Sequence, residues 1–328
     1  MKRSMVCFAM LSVVGFIFLT IFPSYGLTAQ KFPSKKIIWL VPSKPGGGFD
    51  LYARVVGKTM LKYLPEKTKV VIKNLPAGGG IEAVTKLYKA KPDGHTVGIV
   101  KVPGSIVSQH SIPGVRYDVA KLSYIGTITT DDYSIYVEKG SPINSLKDMQ
   151  KKGTIKFATS GVGATSWVYA VIIAKEMGIK ASYVHYTSTA DSTLSVLRGS
   201  TEVALHSMFG SLPYVRSGDI RVLAICSDKR IPEAPDVPTV AEAGFPQFCD
   251  YKSSRVLAAP PNVPPNILKI LEDAFWKAVH DKELQQKLQK AKRPIVAPSK
   301  GEKAKKTVLG ANKLYLKYSK ALTESLKE

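Results

Sequence analysis

The residues best placed to do chemistry in this chain are mostly not titratable. They are the glycines of Pro42-Ser43-Lys44-Pro45-Gly46-Gly47-Gly48-Phe49-Asp50, and the glycines and hydroxyls of Ser160-Gly161-Val162-Gly163-Ala164-Thr165-Ser166. Adjacent glycines carry no Cβ, so peptide N–H groups can come close to a ligand. Where such a turn opens a helix, the partial positive charge of the helix N-terminus points the same way. The chemistry that follows is anion binding. Ser160, Thr165 and Ser166 add hydroxyl donors and are good N-cap residues. A triple glycine can equally be a tight turn and nothing more. Phosphate-binding motifs fit less well: no Lys-Ser or Lys-Thr pair follows Gly48 as a P-loop requires, and the G-x-G-x-x-G spacing is missing.

Each turn needs a strand before it and a helix behind it. Ile37-Ile38-Trp39-Leu40-Val41 is an apolar run bounded by turn residues, as in a parallel strand buried on both faces. Tyr52, Val55, Val56, Thr59 and Met60 then recur at the spacing of one helix face. A second strand, 70–72, leads into Asn74-Leu75-Pro76-Ala77-Gly78-Gly79-Gly80 and a helix with Ile81, Val84, Leu87 and Tyr88 on one side. After the turn Pro92-Asp93-Gly94, strand 96–100 ends near Pro103-Gly104-Ser105. Three such units make a doubly wound sheet, whose ligands lie outside the carboxyl ends of the strands, so all three loops line one edge.

Two strand-like runs, 122–125 and 134–137, are separated by polar Thr129-Thr130-Asp131-Asp132. The order then restarts with strand 155–159, the Ser160 turn and an apolar helix over 167–177. Strand 183–186, a helix holding Leu194 and Leu197, and strands 203–205 and 222–226 complete a second α/β unit. Val256-Leu257-Ala258-Ala259 is a strand returning to the first unit. Ile267, Ile270, Leu271, Ala274 and Phe275 follow the helical period, and a lysine-rich helical tail, 302–327, should pack on the outside.

With 328 residues, 45% of them hydrophobic, the chain can fill one large or two medium domains. Residues 1–29 have the order of a secretory signal: Lys2 and Arg3, an apolar core from Met5 to Phe22, then small residues, with cleavage expected after Gly26 or Ala29. Lys2 and Arg3 leave with it, so the net charge of +22 becomes about +20. The lysines are scattered and no RNA-binding aromatic signature is present, so the expected partners are small anions and not nucleic acid. Cys226 and Cys249 either pair, as an exported protein permits, or stay as thiols; neither has metal-site spacing. No paired carboxylates, His-rich cluster or nucleophile elbow suggests an enzyme, and neither a metal nor a cofactor is expected.

Four residues have two readings each. Asp50 can cap its helix, the favoured role, or touch the ligand. His206 follows an apolar strand and can reach the ligand or serve as a hydrogen-bonded structural residue. Phe49 and Trp167 can flank a ligand or belong to the core.

Gly46 to Asp50, the Asn74 to Gly79 turn, Pro92-Asp93-Gly94, Ser160-Gly161-Val162-Gly163 and above all Pro235-Asp236-Val237-Pro238-Thr239-Val240-Ala241-Glu242-Ala243-Gly244 occur in this order. In these motifs the chain resembles the Bug family, the solute-binding proteins of tripartite tricarboxylate transporters. The resemblance covers nearly all of the chain after the signal. It implies an α/β, two-lobed periplasmic binding protein of type II-like form, each lobe a doubly wound sheet flanked by helices. Lobe 1 would be discontinuous, 30–130 plus 254–328, and lobe 2 would be 131–253, with crossings near 129–133 and 252–256 as the hinge. The two glycine turns would face each other across the cleft and hold the carboxylate ends of a ligand. The expected ligand set is Ser43, Gly46, Gly47, Gly48, Phe49, Asp50, Gly78, Gly79, Ser105, Ser160, Gly161, Gly163, Ala164, Thr165, Ser166 and His206. Relatives commonly have Thr and His where this chain has Ala164 and Trp167, and often Asp near His206, which leaves the distal specificity open. The implied function is a periplasmic monomer that presents a mono-, di- or tricarboxylate to membrane permease subunits. A secreted α/β enzyme acting on a carboxylate, or a ligand-presenting subunit of a sensory system, are the alternatives.

Overall fold

A computed structural model describes residues 32–65 and 67–327, so the expected signal segment lies outside the described residues. Three strand–helix units open the fold: β1 (Ile37–Val41) with α1 (Gly48–Met60), β2 (Val70–Asn74) with α2 (Ile81–Tyr88), and β3 (Thr96–Val102) with α3 (Gly104–Ser111). β1 pairs in parallel with β2 on one side and β3 on the other. Period-2 alternation then divides β1 between two cores. Ile37, Trp39 and Val41 pack with Tyr52, Val56 and Met60 of α1, whereas Leu40 packs with Val84 and Leu87 of α2. Helices therefore cover both faces, which is why β1 reads as a continuous apolar run.

β4 (Leu122–Glu138) corrects the expectation of two strands separated by a polar break. It is one strand of 17 residues, and 129–132 stay in the ladder because β9 (Lys252–Pro261) pairs antiparallel along Leu122 to Asp132. Thr129 and Asp131 are buried there, with Asp131 ion-paired to Arg255 of β9. Polarity in this stretch marks a buried polar contact and not a turn.

From Tyr133 onward β4 changes partners. After α4 (Leu146–Lys152) come β5 (Thr154–Thr159), α5 (Thr165–Met177), β6 (Lys180–His185), α6 (Thr189–Leu197), β7 (Val203–Ser207), α7 (Met208–Ser217) and β8 (Ile220–Ile225). β5 pairs in parallel with β6 and β7, and β4 runs antiparallel to β7 and β8. The order β2-β1-β3 is thus repeated as β6-β5-β7 within one continuous sheet, and the glycine turns follow β1 and β5, the strand in each triplet where the order reverses.

The chain ends with α8 (Pro265–Val279), α9 (Lys282–Lys290), the short β10 (Ser299–Lys300), α10 (Gly301–Leu316) and α11 (Ser319–Glu324). α8 fills the core beneath α1 with Leu271 and Phe275. The lysine-rich tail does cover the outside, but it serves both halves: Ala304 and Val308 join the core beside α3 and β4, while Tyr315 and Leu322 pack beside α5.

Candidate functional site

The first turn is held by the side chain of Asp50. Its carboxylate accepts hydrogen bonds from the Gly46 N–H at 3.0 Å, Arg54 Nε at 2.8 Å and Asn74 Nδ2 at 3.0 Å. Burial pushes its pKa up, but these bonds outweigh burial and hold it below the ordinary carboxylate value. All of this binds the turn to itself and none of it goes to an N–H of α1, so Asp50 does not fill the capping role favoured for it, and it does not line the cleft either. Gly46 takes a left-handed φ of +82°, and Gly47 is the N-cap of α1 with no side-chain cap bond. The first peptide N–H groups of α1 are therefore left without a side-chain partner.

The second turn reaches the same end differently. Ala164 is the N-cap of α5, again without a side-chain bond, so Ser160, Thr165 and Ser166 do not act as caps. Left-handed Gly163 turns the chain so that Thr165 is already the first helical residue. Ser166 Oγ instead accepts the Ser160 N–H at 2.9 Å and lies 2.9 Å from Ser160 Oγ.

The loops of the two halves meet backbone to backbone. A Cβ on Gly79, itself at φ +62°, would stand 2.1 Å from the Val162 carbonyl, and one on Gly104 would stand 2.7 Å from the Gly163 carbonyl. Glycine at these positions permits close packing of the loops.

A cleft of about 620 Å³ opens beside these turns. Of the expected residues, Ser43, Gly46, Gly47, Gly48, Phe49, Gly79, Ser160, Ala164 and Thr165 line it. Gly78, Gly161 and Gly163 do not; they shape the loops behind it. Ser105 is buried, its Oγ accepting the Lys101 N–H at 3.0 Å, and Ser166 is spent on Ser160. His206 is also absent from the lining: it is buried, with Nε2 2.5 Å from Ser192 Oγ, and burial drives its pKa down to about 3. Trp167 is wholly core, whereas Phe49 is half-buried at the cleft wall.

Among the described residues, four cations that the glycine pattern did not foretell line the cleft. Lys44 reaches Thr187 Oγ1 at 2.7 Å, and Arg255 pairs with Asp131 at 2.5 Å. The Arg255 guanidinium lies 4.8 Å above the Phe49 ring and 5.0 Å from that of Tyr52, a cation–π pairing that burial strengthens. Burial alone would lower the Arg255 pKa, but Asp131 overcomes it and the net shift is upward. Lys101 is 6% exposed and Nζ donates to the Gly79 carbonyl; burial lowers its pKa to about 8. Arg293 has its pKa lowered by burial, with Arg255 adding like-charge repulsion. The available signal was a lone charge in an apolar strand, Val100-Lys101-Val102 and Arg255-Val256-Leu257.

Cys226 and Cys249 are free thiols, which decides between the two expectations; Cys226 is buried and Cys249 Sγ donates to the Ser227 carbonyl at 3.3 Å. Among the described residues no group of three His, Cys, Asp or Glu side chains could hold a metal, and no helix is long and apolar enough to cross a membrane.

Residues 52–313 match the family model described as the tripartite tricarboxylate transporter family receptor, TctC. The chain belongs to the TctC family. BugT of Bordetella pertussis is 25% identical over 280 residues, which cover 83% of this chain and 85% of BugT. Among solved structures, MatC of Rhodopseudomonas palustris with bound malate superposes with a TM-score of 0.76 at 22% identity, covering 90% of this chain and 99% of MatC. An R. palustris protein with adipate gives 0.77 at 22% identity, covering 89% and 98%. The periplasmic binding protein BugD gives 0.74 at 21% identity, covering 88% and 99%. At these identities the likeness to solved structures is one of fold, and this TctC chain has the α/β periplasmic-binding-protein fold.

Proposed function

We propose that this TctC protein captures a small organic anion, a mono-, di- or tricarboxylate, in its cleft without turning it over. It then delivers the anion to the membrane permease of a tripartite tricarboxylate transporter. The observation that carries this is the pair of helix N-termini, at Gly47 and Ala164, that reach one cleft with no side-chain cap. Peptide N–H groups so placed favour a carboxylate oxygen in each half, and four cations in the wall add to the pull. MatC with malate and the R. palustris protein with adipate are relatives of fold that hold carboxylates.

In this reading lobe 1 is residues 30–130 with 254–328, lobe 2 is 131–253, and the crossings near 129–133 in β4 and 252–256 in β9 are the hinge. β4 exchanges β9 for β7 and β8 between Asp132 and Tyr133, in keeping with a crossing there. The protein works outside the cytoplasm after removal of residues 1–29. A thermal-shift panel of carboxylates tests the function, with each acid recovered afterwards. Saturable stabilisation with the acid unchanged is expected; product formed at catalytic protein concentration contradicts it.

A further inference from the structure

α10 buries one face and leaves the opposite one exposed. Ala304, Val308 and Tyr315 are in the core, while Lys306, Leu309, Lys313 and Leu316 follow one another at steps of three or four residues on the outward side, flanked by Lys305 and Lys317. Among the described residues seven large hydrophobic side chains are exposed, and three of them, Leu309, Leu314 and Leu316, belong to this one helix. The lysines are as poorly partnered as the leucines. Lys306 has Glu302 at 3.7 Å, whereas Lys305, Lys313 and Lys317 have no carboxylate within ion-pair distance among the described residues; Lys317 Nζ lies 4.7 Å from the Tyr318 ring.

In water the exposed leucines lose hydrophobic free energy and the lysines repel one another along the helix. An anionic bilayer meets both needs. It takes leucine side chains at the boundary of headgroup and acyl chain, sets phosphates against the ammonium groups, and lets the lysine stems lie along the apolar layer. α9 supplies the contrast within the same chain. It is also basic, with Lys282, Lys287 and Lys290 exposed, but its other exposed positions are glutamine and glutamate, and Leu284 and Leu288 are buried. Charge alone does not single out α10; leucines set between lysines do.

We propose that α10 rests the processed protein on an anionic lipid surface, with Leu309 and Leu316 in the headgroup layer and Lys305, Lys306, Lys313 and Lys317 against the phosphates. This goes beyond capture of an anion and does not depend on what the cleft holds. Contact through one helix face is reversible, and it keeps the protein beside a membrane while leaving the cleft free.

Co-sedimentation with vesicles tests this, using the chain without residues 1–29 so that the apolar leader contributes nothing. Vesicles of phosphatidylcholine with about a third of phosphatidylglycerol should bind it at least about tenfold tighter than pure phosphatidylcholine. Salt at about 0.5 M, where the Debye length is about 4 Å, should release most of the bound protein. Lys313→Gln with Lys317→Gln should weaken binding about 25-fold, each lysine near such a surface contributing about fivefold, or about 1 kcal/mol. Leu309→Ser with Leu316→Ser should weaken it about tenfold. Lys287→Gln with Lys290→Gln in α9 removes the same charge and should stay within about threefold of wild type; circular dichroism confirms that each variant is folded. Equal losses from the α9 and α10 lysine pairs overturn the proposal, because net charge alone would then draw the protein to lipid. Binding that ignores phosphatidylglycerol overturns it too, as does no binding to either vesicle, the outcome expected if a protein partner covers this face.

Discussion

Lys101 is a buried side chain whose charge is costly in the folded protein. Its folded pKa, about 8, lies below the ordinary 10.5, so between these values the folded chain without ligand binds fewer protons than the unfolded one. Stability of the ligand-free protein should therefore rise as pH climbs from 8 toward 10.5. Lys101→Met should be more stable than wild type at pH 7 by roughly 2 kcal/mol, the pKa shift less the lost bond to the Gly79 carbonyl. Urea unfolding at pH 7 and 9.5 checks this: the gap should narrow at the higher pH, and a variant less stable at both contradicts it. His206 is depressed for the same physical reason, to about 3 from 6.5, so its share of stability is present above pH 6.5 and is lost as the pH falls toward 3. His206→Gln can keep a partner for Ser192 and should flatten the acid limb of the stability profile between those values. An unchanged limb would show that other groups set it.

At the scale of elements, the β4–β9 pair carries both the crossing between the halves and the buried Asp131–Arg255 contact. Asp131→Asn leaves Arg255 buried without its counterion and should cost about 3–5 kcal/mol, read from urea unfolding. A loss under about 1 kcal/mol would mean that Phe49, Tyr52 and water suffice to hold the guanidinium. This pair also marks where the sequence was hard to read. The glycine turns, β1 and α1 were legible because their signals are local: an apolar run, three glycines, then helical spacing. The 17-residue β4 was not, since Thr129 to Asp132 look like a turn until a strand more than 100 residues away supplies their partners. The cleft divides in the same way. Gly46 to Phe49 and Ser160, Ala164 and Thr165 were found from motif and position, whereas Lys101, Arg255 and Arg293 were not, because only the fold brings 101 and 255, paired on β3 and β9, and 293, in the segment after α9, to one cleft. His206 and Ser105 stood at strand ends that point toward the cleft edge, but their polar atoms are satisfied inside the protein.

At the scale of the whole molecule, a strand order used twice sets two glycine turns against one cleft, and a basic chain surrounds it. Whether the ligand sits on these turns is decided most directly by calorimetric titration of the tightest acid into wild type and into Gly47→Val, with circular dichroism to confirm folding. Gly47 is extended, not left-handed, and a Cβ there would meet nothing closer than 3.7 Å, so the fold should survive. The branched side chain would instead crowd the N–H groups that open α1. The expected result is a folded variant with at least about tenfold weaker binding, about 1.4 kcal/mol. A folded Gly47→Val chain that binds like wild type would contradict the assignment and leave the first turn a structural feature only.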